Sequence, residues 1–206
     1  MMILIGQYDS PFVRRVAIPL RIYGLPFEHR PWSVFSDADR IRPFNPLTRV
    51  PVLVLETGEA LIETSAILDH LDGLVQARTA LIARDGTQRR AGLRVMALAS
   101  GISDKAVGLF YVRVLHDAPS AILVDRFRAQ IADTLEVLEA EAPGEGHWFG
   151  GLTHADIAVT AMLTHTVAAH PDLIRPEDYP KLATLRDRCE ATELFREISQ
   201  PFIPPD

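Results

Sequence analysis

The N-terminal part of the chain alternates between short apolar runs and segments in which apolar residues recur at helical spacing. Four runs rich in apolar residues predict strands, at 2–6, 27–32, 50–55 and 60–62. Three segments predict helices, at 11–23, 37–42 and 63–74. Strands and helices in this order predict an α/β layer domain with a mixed four-stranded sheet, in which the last two strands form a hairpin.

Strand signals disappear after Val75, where a polar stretch at 76–86 predicts a linker. Beyond it the pattern predicts only helices, at 87–116, 119–141, 153–170, 180–190 and 192–199. Three glycines, Gly92, Gly101 and Gly108, interrupt the first of these helices unless close helix packing accounts for them. We therefore expect an α/β domain at 1–77 joined to an all-α domain at 84–206.

A capping motif is predicted at the start of the helix near residue 153. Thr153 suits the N-cap, Asp156 lies three residues further on, and Leu152 and Ile157 flank them as a hydrophobic staple. This pattern indicates a role in folding rather than in ligand binding.

Composition and charge narrow the function. The 206 residues are 48% apolar and 23% charged, and a formal net charge of −6 without a basic cluster argues against nucleic-acid binding. The pairs Arg14-Arg15 and Arg89-Arg90 are predicted to lie on solvated helix faces. The first residues lead directly into strand-like sequence and no apolar run reaches bilayer length, so we expect no signal peptide, no membrane contact and a cytoplasmic location.

Metal and disulfide chemistry are not expected. Cys189 is the single cysteine, so it cannot form an internal disulfide, and we expect it to be a small buried apolar residue. The seven histidines lack a spacing typical of metal ligands, so no metal site is predicted.

A hydroxyl lies at the start of the first predicted helix, in Tyr8-Asp9-Ser10-Pro11-Phe12. Ser10 is a favoured N-cap residue and Pro11 suits the first helical position, so capping is the simplest interpretation. The surroundings are not the Gly-x-Ser-x-Gly of a nucleophilic serine. The same hydroxyl can instead donate a hydrogen bond to an anion at the positive end of the helix, such as the thiolate of a bound thiol.

Two further motifs each have a structural and a functional interpretation. Val50-Pro51 follows a turn at Asn45-Pro46 and begins a strand. The proline can protect a sheet edge or, with a cis peptide bond, let Val50 present its N–H and C=O to an extended peptide. Glu63-Thr64-Ser65 begins a helix, where it can cap the helix or bind an amino-acid head group. In the second case the hydroxyl and helix N–H groups take the carboxylate and Glu63 takes the ammonium.

The order and spacing of these motifs resemble the glutathione transferase superfamily over essentially the whole chain. The matching features are a hydroxyl on the first helix, Val-Pro before a hairpin, and Glu-Thr-x-Ala-Ile at the third helix. The resemblance implies a thioredoxin-like N-terminal domain, an all-α C-terminal domain and a homodimer. It also implies glutathione as a co-substrate, with no metal or redox cofactor.

The resemblance implies a role for each motif residue. Ser10 looks like the thiol-activating residue of the serine-type classes. Val50 looks like the residue whose backbone pairs with the cysteine of glutathione, and Pro51 like the family's cis-proline. Glu63 and Thr64 resemble the acid–hydroxyl pair that holds the γ-glutamyl end.

Further positions follow from the same resemblance. Arg49 occupies a place near the glycine end of glutathione that often carries lysine. The pocket for an electrophilic, largely apolar co-substrate would be lined by Phe12, Phe35, Val107, Tyr111 and Leu115. We expect a glutathione transferase, with two alternatives: a glutathione-dependent isomerase or dehalogenase, and a non-catalytic transferase-fold protein that binds ligands or partners.

Overall fold

A computed structural model describes residues 1–202 and 204. The chain forms two compact units. The first contains Met1–Arg84 together with the segment that begins at Thr192, and the second is Asp85–Ala191.

The first unit is built on a four-stranded mixed sheet. Its strands are β1 (Met2–Ile5), β2 (Phe27–Arg30), β3 (Val52–Val54) and β4 (Ala60–Ile62), in the spatial order β2-β1-β3-β4. β1 pairs with β2 in parallel, whereas β3 is antiparallel to both of its neighbours, β1 and β4. The mixed sheet and its terminal hairpin are as predicted, and β2 with its flanking prolines is an edge strand.

Two helices connect strands, α1 (Pro11–Ile22) between β1 and β2 and α2 (Ala38–Ile41) between β2 and β3, and a third, α3 (Thr64–Gly73), follows β4. α1 begins at the predicted Ser10 cap and ends just before Gly24, whose φ of +65° suits a glycine after a helix end. Val13, Val16 and Leu20 are fully buried along α1, which packs against α3. The apolar residues that recur at helical spacing in the sequence therefore form the face of α1 that packs into the core.

The prediction that Arg14 and Arg15 are solvated is wrong. Both side chains are buried, with 3% and 2% of their surfaces exposed. Arg14 donates from Nε to the Ile198 carbonyl at 2.6 Å and from Nη2 to the Phe195 carbonyl at 2.9 Å. The burial of Arg14 is possible because its guanidinium donates to carbonyls that a helix end leaves without partners.

These contacts also change the predicted domain boundary at 84–206. The last helix, α8 (Glu193–Glu197), packs with α1 in the first unit rather than with the helical domain. A linear sequence pattern identifies this helix but not the unit that it joins. The last residues of the predicted C-terminal domain, 203, 205 and 206, lie outside the described residues.

The second unit contains α4 (Gly86–Leu115), α5 (Ala121–Glu141), α6 (His154–Ala169) and α7 (Pro180–Glu190), with a 3₁₀ turn at Pro176–Asp178. α4 is continuous through its glycines. A Cβ on Gly108 would lie 3.2 Å from the Phe127 ring of α5, which is the close helix packing that accounts for this position. Cys189 is buried, as predicted.

α4 is long and apolar enough, by length and composition alone, to cross a membrane. The sequence pattern did not predict such a helix, because Asp104 and Lys105 interrupt the apolar stretch. Helices at the centre of a protein core meet the same criterion, and Val95, Ala99, Ile102 and Ala106 of α4 are buried where it packs on α5 and α6.

The capping motif at α6 is confirmed. The Asp156 carboxylate accepts hydrogen bonds from the Thr153 N–H at 2.8 Å and from its hydroxyl at 2.7 Å. It also accepts the Trp148 N–H at 2.7 Å, and the carboxylate has no exposed surface. Asp156 therefore joins the start of α6, itself almost wholly buried, to the preceding loop.

We expect Asp156→Ala to lower the free energy of unfolding by about 2–4 kcal/mol, because three half-buried donors lose a fully buried charged acceptor. Urea denaturation measures the change. Asp133→Ala, on the exposed surface of α5, is the matched control and should cost less than about 0.5 kcal/mol. Loss of ligand binding or activity in Asp156→Ala with unchanged stability would contradict the structural role.

Candidate functional site

The strand pairing gathers the three predicted motifs at one end of the sheet. Ile5 at the end of β1 lies opposite Val52 at the start of β3, and Val52 lies opposite Ile62 at the end of β4. Because β3 runs against both neighbours, the chain leaves β1 and β4, and enters β3, at the same end. The segments that follow or precede these residues carry Ser10, Val50-Pro51 and Glu63-Thr64.

A turn over residues 6–10 connects β1 to α1 and carries Ser10. Gly6 allows this turn to lie close to Val50. Gly6 has a φ of +128°, and a Cβ at this position would lie 2.5 Å from Val13 Cγ2 and 2.8 Å from Val50 Cβ. Both the backbone angle and the lack of space require glycine. Gly6 thus lies between Val13, on the first turn of α1, and Val50.

β2 supports the same turn. The Gly6 N–H donates to the Arg30 carbonyl at 2.9 Å, and His29 Nε2 donates to the Gly6 carbonyl at 2.8 Å. The Tyr8 ring stacks on the His29 ring, with centroids 3.8 Å apart and planes 3° from parallel. Burial lowers the pKa of His29, and its bond to the Gly6 carbonyl opposes only part of that effect. His29 is therefore neutral at neutral pH and serves as a fixed donor and stacking surface.

Ser10 is half-buried at the N-cap of α1. Its Oγ accepts the Phe12 N–H at 3.3 Å and the Val13 N–H at 3.4 Å. Within residues 1–202 and 204, no group accepts a hydrogen bond from its hydroxyl. The oxygen is thus held by the helix end while its own O–H is left to donate to a ligand, so the capping role and the predicted donor role are compatible.

The Val50–Pro51 peptide bond is cis, as the resemblance implies. Asn45, buried to 2% exposure, fixes the loop before it. Its Nδ2 donates to the Arg49 carbonyl at 2.8 Å, and its Oδ1 accepts the Leu47 N–H at 3.0 Å. Asn45 therefore fixes the backbone at Arg49, the residue that precedes Val50.

Glu63 and Thr64 lie at the start of α3. Glu63 is its N-cap, with an unusual φ of +72°, and its carboxylate accepts the Ser65 N–H at 3.0 Å. Thr64 is 4% exposed. Among the described residues, Glu63 and Thr48 are the two non-glycine residues with positive φ, and both flank the motifs at this end of the sheet. Strained backbone of this kind is concentrated at functional sites.

Electrostatics favour an ionised Glu63. Partial burial raises the pKa of its carboxyl, but hydrogen bonds from Ser65 and Thr64 and the positive charge of Arg15 outweigh it, so the pKa lies below its ordinary value. The positive charge of the buried Arg15 guanidinium thus acts on the acid that is predicted to bind an ammonium group. The sequence pattern did not indicate this, because a pair of arginines on a helix is typical of a solvated face.

The remaining predicted residues occupy both units. Phe12 is half-buried in α1, Phe35 is exposed in the loop before α2, and Arg49 is exposed beside Val50. The other three predicted pocket residues lie on α4 of the second unit: Val107 and Tyr111, which are half-buried, and Leu115, which is exposed. The pocket that they would share stays a prediction.

Comparison with known proteins gives matches over both units. Residues 4–79 match the glutathione S-transferase N-terminal domain, and residues 121–188 match the glutathione S-transferase C-terminal domain. An uncharacterized GST-like protein of Escherichia coli K12, YibF, is 34% identical over 141 residues, which cover 66% of this chain and 67% of that protein. The chain belongs to the glutathione S-transferase superfamily.

Solved structures of this superfamily are similar over the full length. A glutathione S-transferase from Methylobacterium radiotolerans, in complex with glutathione sulfonate, is 29% identical, with a TM-score of 0.86 over 100% of this chain and 99% of that one. A glutathione transferase family member from Pseudomonas fluorescens, with bound glutathione, is also 29% identical, with a TM-score of 0.86 over 98% of this chain and 100% of that one. The predicted fold, a thioredoxin-like domain followed by a helical transferase domain, is confirmed.

The candidate site also contains supporting residues that were not predicted from the sequence, namely Gly6, Tyr8, Arg15, His29 and Asn45. Asn45 had a partial signal, because Asn-Pro predicts a turn although not a bond to the Arg49 carbonyl. The others act through contacts between distant segments. No group of three or more His, Cys, Asp or Glu side chains in residues 1–202 and 204 is arranged to hold a metal ion.

We expect Gly6→Ala to lower the free energy of unfolding by about 3 kcal/mol or more, since a positive φ and two contacts under 3 Å both oppose the methyl group. Gly58→Ala is the control. Its φ is +88°, but no atom lies within 4 Å of the added Cβ, so it should lose only about 1 kcal/mol. Equal losses in chemical denaturation would show that Gly6 contributes only its backbone angle.

Proposed function

We propose that this chain is a glutathione transferase in which Ser10 stabilises the thiolate of bound glutathione for attack on an electrophilic, largely apolar co-substrate. The observation that carries the proposal is the convergence of Ser10, cis Val50–Pro51 and Glu63 at one end of the sheet. Relatives solved with glutathione or glutathione sulfonate at 29% identity support a glutathione transferase-type function.

The spacing of these segments suits a tripeptide. Adjacent strands lie about 4.8 Å apart, so β1 and β4 on either side of β3 are separated by about 10 Å. A γ-glutamyl residue and a cysteine with its extended side chain span a similar length, about 10 Å. In our proposal the γ-glutamyl end lies at Glu63, the cysteine pairs with the Val50 backbone, and the thiol reaches Ser10.

The γ-glutamyl end is an amino-acid head group with two opposite charges. We assign its ammonium group to the Glu63 carboxylate and its carboxylate to Thr64 and the N–H groups of the first turn of α3. The lowered pKa of Glu63 keeps the acid ionised, as this role requires. Arg49 would interact with the glycine carboxylate at the other end.

Ser10 would act as a hydrogen-bond donor and not as a nucleophile. A free thiol has a pKa of about 8.5 and is mostly protonated at neutral pH. A charge-assisted hydrogen bond and the α1 N-terminus together contribute about 1–3 kcal/mol to the thiolate, or about one to two pKa units. The thiolate sulfur then forms a bond to an electrophilic carbon, and the displaced electron pair departs with a leaving group or is protonated by water.

The other features of this proposal rest on the resemblance. Phe12, Phe35, Val107, Tyr111 and Leu115 would contact the co-substrate, the protein would be a cytoplasmic homodimer, and glutathione would be a co-substrate without any further cofactor. A panel of electrophiles assayed with glutathione would identify the second substrate and would distinguish transfer from isomerisation or dehalogenation.

We expect Ser10→Ala to bind the protonated form of glutathione with nearly unchanged affinity but to raise the pKa of its bound thiol by about one unit, because the α1 N-terminus still stabilises the thiolate. Calorimetry measures the affinity, and the pH dependence of thiolate absorbance measures the pKa. Because Ser10 also caps α1, the variant should lose about 1 kcal/mol of stability, whereas Ser10→Thr keeps both the cap and the donor.

The measurements test the donor role of Ser10 separately from the transferase assignment. An unchanged thiol pKa in Ser10→Ala would remove the donor role of Ser10. Failure of the unmodified protein to bind glutathione at millimolar concentration would overturn the transferase assignment and leave the non-catalytic alternative.

We expect Glu63→Gln to weaken glutathione binding about ten- to hundredfold, because a charge-assisted contact to the ammonium group becomes neutral. The Gln carbonyl can still accept the Ser65 N–H, so the helix cap is kept. Isothermal calorimetry should show this loss without a change in thiol pKa. Glu59→Gln, on the exposed β3–β4 turn, is the matched control, and an equal loss there would argue against a specific contact at Glu63.

A further inference from the structure

The C-terminal segment contacts the turn that carries Ser10. The Gln200 side chain, half-buried, accepts the Tyr8 N–H through Oε1 at 2.9 Å, although 192 residues separate the two. Tyr8 lies two residues before Ser10, and the Ser10 N–H in turn donates to the Gln7 carbonyl at 3.2 Å. Gln200 therefore restrains the peptide at the middle of this turn.

The segment is anchored on the helix that Ser10 caps. Arg14, on the first turn of α1, binds the Phe195 and Ile198 carbonyls, and its guanidinium lies 5.8 Å from the Phe195 ring centroid. Phe195 and Ile198 are 1% and 2% exposed. A buried charge with directional hydrogen bonds fixes the backbone just before Gln200, so the position of this side chain is set by α1 itself.

The turn is thus held from two directions. β2 holds Gly6 through Arg30 and His29, and the stacking of Tyr8 on His29 extends that support. Gln200 holds the Tyr8 N–H from the C-terminal segment. A donor that stabilises a thiolate must be fixed to within a fraction of an ångström, which a turn without these restraints would not provide.

We infer that Gln200, at the end of the C-terminal segment, completes the thiol site as a positioning residue that holds the Tyr8 peptide and, through it, Ser10. This inference rests on the proposed role of Ser10. It assigns a function in the thioredoxin-like unit to residues that follow the helical domain in the sequence.

The test is Gln200→Met, which keeps the length and volume of the side chain but removes the acceptor oxygen. We expect the pKa of the glutathione thiol to rise. The kcat for reaction of glutathione with an electrophile from the panel should fall about three- to tenfold at neutral pH, because one hydrogen bond is lost. The KM for glutathione should stay unchanged, because Glu63, Thr64 and the Val50 backbone are not altered. Amide exchange at Tyr8 should become faster.

The matched control is Glu197→Gln, on the same segment. Glu197 forms an exposed ion pair with Arg21 at 2.6 Å, at the opposite end of α1 from Ser10. This variant should keep the thiol pKa, kcat and Tyr8 exchange of the unmodified protein. Thermal unfolding of both variants establishes that the fold is retained.

Three results would overturn the inference: no change in thiol pKa or kcat in Gln200→Met, an equal change in Glu197→Gln, or unchanged Tyr8 exchange in Gln200→Met. These results differ from failure of the proposed function, in which the unmodified protein would not bind glutathione. Exchange at Tyr8 needs no ligand, so it tests the restraint on the turn in either case.

Discussion

The site depends on the antiparallel pairing of β3 between β1 and β4. This pairing sets Ile5, Val52 and Ile62 in one row across the sheet, so three segments far apart in sequence meet at one end. Shifting a strand by one residue would reverse its inward and outward side chains and move the attached segment along the sheet. The full burial of Ile5 and Val52 opposes such a shift, so core packing fixes the geometry of the site.

Around this row, small structural elements place backbone groups rather than reactive side chains. Gly6 allows close approach to Val50, and Asn45 holds the Arg49 carbonyl. Glu63 keeps an unusual φ at the start of α3. Each arrangement fixes a backbone N–H, a carbonyl or a helix end. In the proposed function these groups hold a peptide and stabilise the charge of a thiol that the peptide itself brings, so the protein need not supply a nucleophile.

Buried arginines connect this site to the rest of the first unit. Arg14 donates hydrogen bonds to the carbonyls at the end of α8, and the charge of Arg15 lowers the pKa of Glu63. A buried guanidinium is costly unless its donors are satisfied, so its partners cannot be moved without a large loss of stability. This cost gives the C-terminal segment a defined place on α1 and brings Gln200 to the turn before Ser10.

The sequence by itself determined the elements and the mixed sheet, because caps, turns and apolar periodicity depend on residues a few positions apart. Its resemblance to the superfamily added the proposed roles of Ser10, Val50, Pro51, Glu63 and Thr64. Only the tertiary structure decided that Arg14 and Arg15 are buried, that α8 packs on α1, and that Gln200 holds Tyr8. Those facts come from contacts between segments up to 192 residues apart, and local periodicity carries no information about such partners. Ser10, which the sequence identifies as a helix cap, therefore lies in the folded chain on a turn that is held by β2 on one side and by Gln200 on the other.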